Sequence, residues 1–175
     1  TLPKVSVQVG ESTDPTDLTT TLKIVVLMTV LALAPSLLIM VTSFTRITVV
    51  LSFLRQAMGA NQMPPNELML GLSLFLTLFI MAPAANRAYT EGIKPYTEKQ
   101  ITGEEAYEKA VAPFREFMLA QTREQDLGLF VDIAKLPAPN TPADIPLHVL
   151  VPAFVISELR TAFQIAFVIF IPFLV

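Results

Sequence analysis

Residues 152–172 read PAFVISELRTAFQIAFVIFIP, an apolar stretch that carries an acid at Glu158 and a base at Arg160. A second such stretch begins with the uncharged residues 24–45 and continues past Arg46 into further apolar sequence. A charge at mid-bilayer costs about 2.5–3.5 kcal/mol on insertion scales, whereas each large apolar residue gains about 0.3–0.6 kcal/mol. We therefore expect these charged side chains to meet partners or water rather than lipid.

The composition is that of a membrane protein. Hydrophobic residues make up 53% of the chain and charged residues 15%, whereas soluble domains are about 25% charged. The net charge of −3 and the lack of a basic run predict no nucleic-acid partner. With no cysteine, a single histidine (His148), no nucleophile motif and no phosphate loop, the sequence predicts no enzyme activity, no metal site and no cofactor.

Uncharged runs divide the chain into segments. Residues 24–45 (22 residues) and 68–86 (19 residues) are close to the length of about 20 residues that crosses a hydrocarbon core of about 30 Å. Between them, Gly59 and the Pro64-Pro65 pair break helical structure, and Asn66 predicts a helix start. The sequence thus predicts an N-terminal extramembrane segment (1–23), a first hydrophobic helical hairpin (24–86), a soluble helical segment (87–144) and the start of a second hydrophobic hairpin (145–175).

The segment 87–144 has a different character, with 7 Lys or Arg and 10 Asp or Glu. Thr102-Gly-Glu-Glu105 fits a capping box. After it, apolar residues recur at helical spacing and predict one buried helix face, made of Tyr107, Ala110, Val111, Phe114, Phe117 and Met118. Pro113 is expected to kink or split this helix, and residues 127–133 are expected to form a second short helix.

The last stretch, 145–175, is too long for one straight span and too interrupted by prolines and charges for an ordinary one. We therefore do not expect an ordinary single span here. The sequence stops at Val175 within apolar residues and without a polar anchor. We expect the chain to be a fragment whose second hairpin continues beyond Val175.

Polar side chains within both charged stretches fall on one side of a helix at 100° per residue. That side carries Thr45, Thr48, Ser52, Arg55 and Gln56 in the first stretch, and Ser157, Arg160, Thr161 and Gln164 in the second. Glu158 and Arg160 are two positions apart and cannot face each other on a helix, so each needs a partner elsewhere. Helical geometry leaves three options open, namely packing within the chain, contacts between subunits, or a water-filled path.

The charged stretches and the sequence between them resemble the FliP/SctR family, which has flagellar (FliP) and injectisome (SctR) branches. The first signature block is residues 35–55, PSLLIMVTSFTRITVVLSFLR, and the second is residues 152–174. Further matching segments are PPN at 64–66, FIMAP at 79–83 and FMLAQTRE at 117–124. The resemblance covers nearly all of residues 24–175, and the segment 121–124 (QTRE) favours the flagellar branch.

The resemblance implies an all-α fold of membrane-associated helical hairpins with a small helical extramembrane segment, which assembles into a helical multi-subunit pore. It implies a non-enzymatic core subunit of the flagellar type III export gate, through which unfolded flagellar proteins leave the cytoplasm. The implied partners are further copies of the chain, FliQ, FliR, FlhB, FlhA, exported flagellar proteins and membrane lipid. The implied location is the bacterial inner membrane at the flagellar basal body, largely raised out of the membrane plane, with residues 87–144 on the periplasmic side.

The candidate site residues are polar side chains at which we expect contacts between subunits or with the pore: Arg46, Arg55, Glu158, Arg160 and Gln164. The resemblance implies that such residues are buried against neighbouring subunits in the family. It also implies a methionine-rich gating loop beyond Val175, so no gating residue is assigned in this chain.

An ion channel or secondary transporter is the alternative function, with Arg55, Glu158 and Arg160 lining a solute path. A transporter predicts binding of a small solute by the chain alone, whereas an export-gate subunit predicts copurification with other secretion components. Basic residues near the helix ends weakly place residues 87–144 in the cytoplasm by the positive-inside rule. We follow the resemblance and expect the periplasm, because a loop of nearly sixty residues is at the limit of that rule.

Overall fold

The computed structural model describes residues 15–59 and 63–174, and these contain helices but no strand, which confirms the all-α prediction. The chain divides into two units between Leu37 and Leu38. The described part of the first unit belongs to helix α1 (Pro15–Met40). Its side chains are exposed from Thr19 onward, apart from a half-buried Ala34. The predicted N-terminal segment 1–23 falls mostly outside the described residues, and its described end is already part of α1.

The uncharged run predicts that the first apolar stretch is one helix. The structure instead divides this stretch between two helices. Helix α1 ends at Met40, and helix α2 (Phe44–Ala57) begins after a three-residue turn. In this turn the Thr42 hydroxyl donates to the Ile39 carbonyl oxygen at 3.2 Å and accepts from the Phe44 amide at 3.4 Å. Such local bonds from a threonine side chain compete with the helical hydrogen-bond pattern, and this explains the break.

Helix α3 (Asn66–Arg87) begins where the sequence predicts it, after a loop whose residues 60–62 are outside the described ranges. It continues as a π-helical segment (Ala88–Ile93) and a short helix α4 (Lys94–Thr97), so helical structure runs on past the predicted end of the hairpin. The π-helical segment lies close to the next helix. A Cβ on Gly92 would be only 2.8 Å from the Ala106 carbonyl oxygen, so the absence of a side chain permits this approach.

Residues 87–144 contain helices α5 (Gly103–Gln121) and α6 (Glu124–Ile133), and both helices are predicted from the sequence. The capping box is confirmed, because the Thr102 hydroxyl accepts from the Glu105 amide and the Glu105 carboxylate accepts from the Thr102 amide. The predicted apolar face of α5 is half-buried or buried, except that Tyr107 is exposed. Pro113 does not split α5; its ring is buried and the helix continues through it.

The last stretch forms one continuous helix, α7 (Leu147–Phe170), followed by a 3₁₀ turn (Ile171–Phe173), although prolines and charges interrupt its apolar sequence. Pro152 removes one backbone hydrogen bond from α7. The buried apolar side chains around it compensate for this loss. They form the main core cluster with residues from α5, α6 and the α6–α7 connection: Met118, Val131, Ile145, Val149, Leu150 and Phe154.

Helix α7 is the central element of the second unit and packs against α2, α5 and α6. Helix α3 packs against α2 and, with its π-helical extension, against α5. The Phe53 ring of α2 makes edge contacts with Phe163 and Phe170 of α7, at centroid distances of 5.6 and 6.1 Å. Within the described ranges, three helical stretches are long and apolar enough to cross a membrane: Thr19–Met40, Asn66–Thr97 and Leu147–Phe173.

Candidate functional site

The charged residues of the two signature blocks meet inside the second unit. Arg46 lies in the first turn of α2, and its Nη2 atom donates to Glu158 Oε1 on α7 and, at 3.0 Å, to Gln121 Oε1 at the end of α5. The Glu158 side chain is 1% exposed and the Arg46 side chain 28% exposed. The Arg46 guanidinium thus joins three helices, α2, α5 and α7.

Arg160 finds a different acid. Its Nη2 atom lies 2.9 Å from Asp126 Oδ1 on α6, and the Asp126 side chain is 1% exposed while that of Arg160 is 45% exposed. Glu158 and Arg160 therefore have separate partners on other helices, as their spacing requires.

The corner between α5 and α6 supplies further hydrogen bonds to α7. The Arg123 amide donates to the Ser157 hydroxyl at 2.9 Å, and this hydroxyl lies 3.4 Å from the Gln121 carbonyl oxygen. The Arg123 guanidinium donates to Gln164 Oε1 and contacts the Thr161 hydroxyl at 3.5 Å.

We call this set of polar residues the polar junction. Its members come from α2, from α5 and α6 with their connecting corner, and from α7: Arg46, Gln121, Arg123, Asp126, Ser157, Glu158, Arg160, Thr161 and Gln164.

Several buried polar atoms of the polar junction lack a hydrogen-bond partner within the described part of the chain. They are Arg46 Nε, Asp126 Oδ2 and Glu158 Oε2. The hydroxyls of Ser43, directly before α2, and of Thr48 on α2 also lack a partner. Each buried carboxylate thus has one oxygen bonded to an arginine and one oxygen without a partner. Because a buried charge is costly without compensation, both acids depend strongly on their single arginine.

Arg55, another predicted site residue, is not part of the polar junction. Its Nη1 atom donates to the Pro64 carbonyl oxygen at 3.3 Å and to Asn66 Oδ1 at 2.5 Å. These bonds link the end of α2 to the start of α3. Within the chain, Arg55 therefore fixes the corner between these two helices.

Gln121, Arg123 and Asp126 are the members of the polar junction that sequence reasoning missed. Two of them lie in the QTRE segment that contributes to the family resemblance, but neither shows an apolar environment in the sequence. Asp126 resembles an ordinary acid in the first turn of an amphipathic helix. Its burial results from the packing of α6 on α7, which no local pattern shows.

A second set of charges links α3 to α5 at the surface. Arg87 donates to both carboxylate oxygens of Glu116, at 2.6 and 3.3 Å, and to Glu91 at 3.2 Å. The hydrogen bond from Arg87 holds the pKa of Glu116 below its usual value. Among the described residues, no group of three or more His, Cys, Asp or Glu side chains could hold a metal ion, and His148 is exposed.

Comparison with known proteins places this arrangement in a family. The FliP family model matches residues 27–175. Similar proteins include the flagellar biosynthetic protein FliP of Bacillus subtilis (strain 168), 48% identical over 97% of this chain and 76% of that protein. Those of Pectobacterium carotovorum subsp. carotovorum and Caulobacter vibrioides are 52% and 54% identical, over 90% and 87% of this chain and 61% and 58% of those proteins. This chain thus spans between 58% and 76% of the length of these three relatives. With both signature blocks present and joined by the polar junction, the chain belongs to the FliP family.

Proposed function

We propose that this chain is a non-enzymatic core subunit of the flagellar type III export gate. Together with FliQ and FliR it forms the channel through which unfolded flagellar proteins are exported, and FlhB and FlhA are further partners. The carrying observation is the ion pair between Arg46 and Glu158, which ties the two signature blocks of the family into one packed unit. The names of the similar proteins, flagellar biosynthetic proteins, support the flagellar assignment.

The burial of the charged residues favours this function over the channel or transporter. A residue that binds a passing solute needs access to a path, and intramembrane charges of transporters typically face a cavity. Here the Glu158 and Asp126 side chains are 1% exposed, and each is bound to an arginine of the same chain. This geometry supports a role of the charges in holding helices together.

The dimensions of the packed unit support a position partly outside the membrane plane. Helix α2 has 14 residues and is about 21 Å long at 1.5 Å per residue, which is shorter than a hydrocarbon core of about 30 Å. The charged α5–α6 corner contacts α2 in its first turn, through Gln121 and Arg46. The part of the packed unit to which α2 contributes is therefore shorter than such a core.

Copurification tests the proposed assembly. A tagged copy, extracted gently from native membranes and analysed by mass spectrometry, is expected to retain further copies of itself together with FliQ and FliR. A chain that is recovered alone, and that binds a small solute in this state, would contradict the export-gate function and support the transporter.

Accessibility tests the proposed periplasmic location of residues 87–144. Single cysteines at Gln100 and Asn140 are expected to react with a membrane-impermeant maleimide after permeabilisation of the outer membrane, whereas one at Met63 in the α2–α3 loop is expected to stay protected. The chain has no native cysteine, so the background is clean. All three positions are exposed in the chain, and the unassembled subunit is the appropriate sample. Labelling at Met63 alone would contradict the proposed topology and indicate the opposite orientation.

A further inference from the structure

In the described part of the chain, the Arg46 guanidinium makes its hydrogen bonds through a single nitrogen. This atom, Nη2, carries two hydrogens and donates to both Gln121 Oε1 and Glu158 Oε1. The Nε atom lies beside Nη2 on the same edge of the planar guanidinium, and it is buried without a partner among the described residues. Oε2 of Glu158 is in the same condition. One unused donor and one unused acceptor therefore remain within the same ion pair.

The ion pair is incomplete in its geometry. An arginine and a carboxylate pair most strongly when two neighbouring N–H groups donate in parallel to the two carboxylate oxygens. The pair between Arg46 and Glu158 forms one of these two bonds. Gln121 explains the missing bond, because its amide oxygen accepts from Nη2 at 3.0 Å and fixes the orientation of the guanidinium. Once Nη2 is released by Gln121, rotation of the guanidinium toward Glu158 would form the second bond, from Nε to Oε2.

The bond between Arg46 and Gln121 also connects two parts of the fold. Helix α2 packs against α7 and α3. Within the described residues, its hydrogen bond to α5 is the one from Arg46 to Gln121. The corner between α5 and α6 has its own attachment to α7, since the Arg123 amide donates to the Ser157 hydroxyl at 2.9 Å. The corner can therefore stay bound to α7 when Gln121 releases α2.

We propose that the Arg46–Gln121 bond is a latch between α2 and the α5–α6 corner, which opens at little cost because the ion pair becomes complete when it opens. In the closed state Arg46 is shared between an amide and a carboxylate. In the open state Nε and Nη2 both donate to Glu158, and the half-buried Gln121 side chain turns to water. Gln121 is thus a positioning residue that acts through Arg46. The latch lets α2 move relative to the corner while the buried acid keeps its cation, and it does not depend on the proposed function.

A double-mutant cycle on the full chain in detergent tests the latch. The coupling between Arg46 and Glu158 is the part of their effects on the thermal unfolding temperature that is not additive, obtained from Arg46→Met, Glu158→Leu and the double variant. The cycle is measured in the parent chain and again with Gln121→Met, which removes the amide oxygen and keeps an unbranched side chain. The coupling is expected to grow by at least about 3 °C with Gln121→Met, for one further charged hydrogen bond. A glutamine that only supports Arg46 predicts the opposite, namely a weaker coupling without it.

Gln164→Met is the matched control, because it makes the same substitution at another glutamine of the polar junction. The amide oxygen of Gln164 accepts from Arg123 and not from Arg46. This variant is expected to leave the coupling between Arg46 and Glu158 unchanged. If the coupling grew equally in both glutamine variants, the cause would be the loss of a polar side chain in general, and the latch would be overturned.

The NMR signal of the Arg46 Nε–H group gives a direct second measurement. In an isotope-labelled chain with Gln121→Met, this proton is expected to shift downfield, because it then donates to a carboxylate oxygen. An unshifted signal, or a coupling that is unchanged or smaller, would overturn the latch. So would a Gln121→Met chain that fails to fold or loses as much unfolding temperature as Arg46→Met, because opening would then be costly.

Discussion

Replacing Arg46 by methionine removes the cation to which Glu158 is bound, while an unbranched apolar side chain replaces the aliphatic part of the arginine. Glu158 is 1% exposed, and its second carboxylate oxygen has no partner among the described residues, so no second protein donor compensates for the loss. Loss of one member of such a pair typically costs about 3–5 kcal/mol, a large part of a total stability of about 5–15 kcal/mol. At about 2–4 °C per kcal/mol for a chain of this size, the midpoint of thermal unfolding should fall by about 6–20 °C.

The matched variants decide whether the ion pair causes this loss. Arg46→Met combined with Glu158→Leu removes both charges, and replacing a buried pair by apolar residues is often neutral. The double variant is therefore expected to recover at least half of the lost unfolding temperature, measured by circular dichroism in detergent. Arg160→Met should cost less than Arg46→Met, because Arg160 is 45% exposed and water can approach its site. If the double variant is as unstable as Arg46→Met alone, the two residues do not act as a pair and our reasoning about the polar junction fails.

Three further predictions concern residues 87–144. Gly92→Ala should destabilise the chain by about 1–3 kcal/mol in thermal unfolding, because the new methyl group would overlap the backbone of α5; Gly71→Ala, with open space around it, should be neutral or stabilising by up to about 1 kcal/mol, and equal effects would refute the close approach. Phe117→Asp should lower the yield of folded, assembled protein far more than Glu116→Ala, since Phe117 packs on Phe154 in the core whereas Glu116 is at the surface; similar yields would show that the buried face of α5 is assigned wrongly. Carboxyl titration by NMR should place the pKa of Glu116 below that of an ordinary glutamate. The interaction with Arg87 then adds stability at pH values above the ordinary pKa of a glutamate, and this stability is lost as the pH falls through the lowered pKa. An unshifted titration would contradict that contact.

Features with a local physical cause could be predicted from the sequence. The capping box at Thr102 depends on residues within one helical turn, and the buried face around Met118 depends on a periodic apolar pattern. The need of Glu158 and Arg160 for separate partners follows from their spacing on a helix alone. These predictions are confirmed because each concerns the geometry of a single helix.

The remaining features depend on contacts that a single segment does not contain. Nothing local marks Asp126 as the partner of Arg160, because its burial arises only when α6 packs on α7. The prolines at 113 and 152 stay within continuous helices, since the core packing around them outweighs the loss of one backbone bond each. The turn at Thr42 contains neither glycine nor proline, so it lacks the usual signals of a helix end.

The ion pair between Arg46 and Glu158 also sets a condition on how the chain is made. Its two residues are 112 positions apart, and at a synthesis rate of about 5–20 residues per second the acid follows the base by about 6–22 s. During this interval Arg46 sits in apolar sequence without its carboxylate, and the first block cannot reach its final packing. Synthesis of α7 is therefore the event that supplies the partner of Arg46. A chain that stops before Glu158 would keep an unpaired arginine, which membrane quality control can detect.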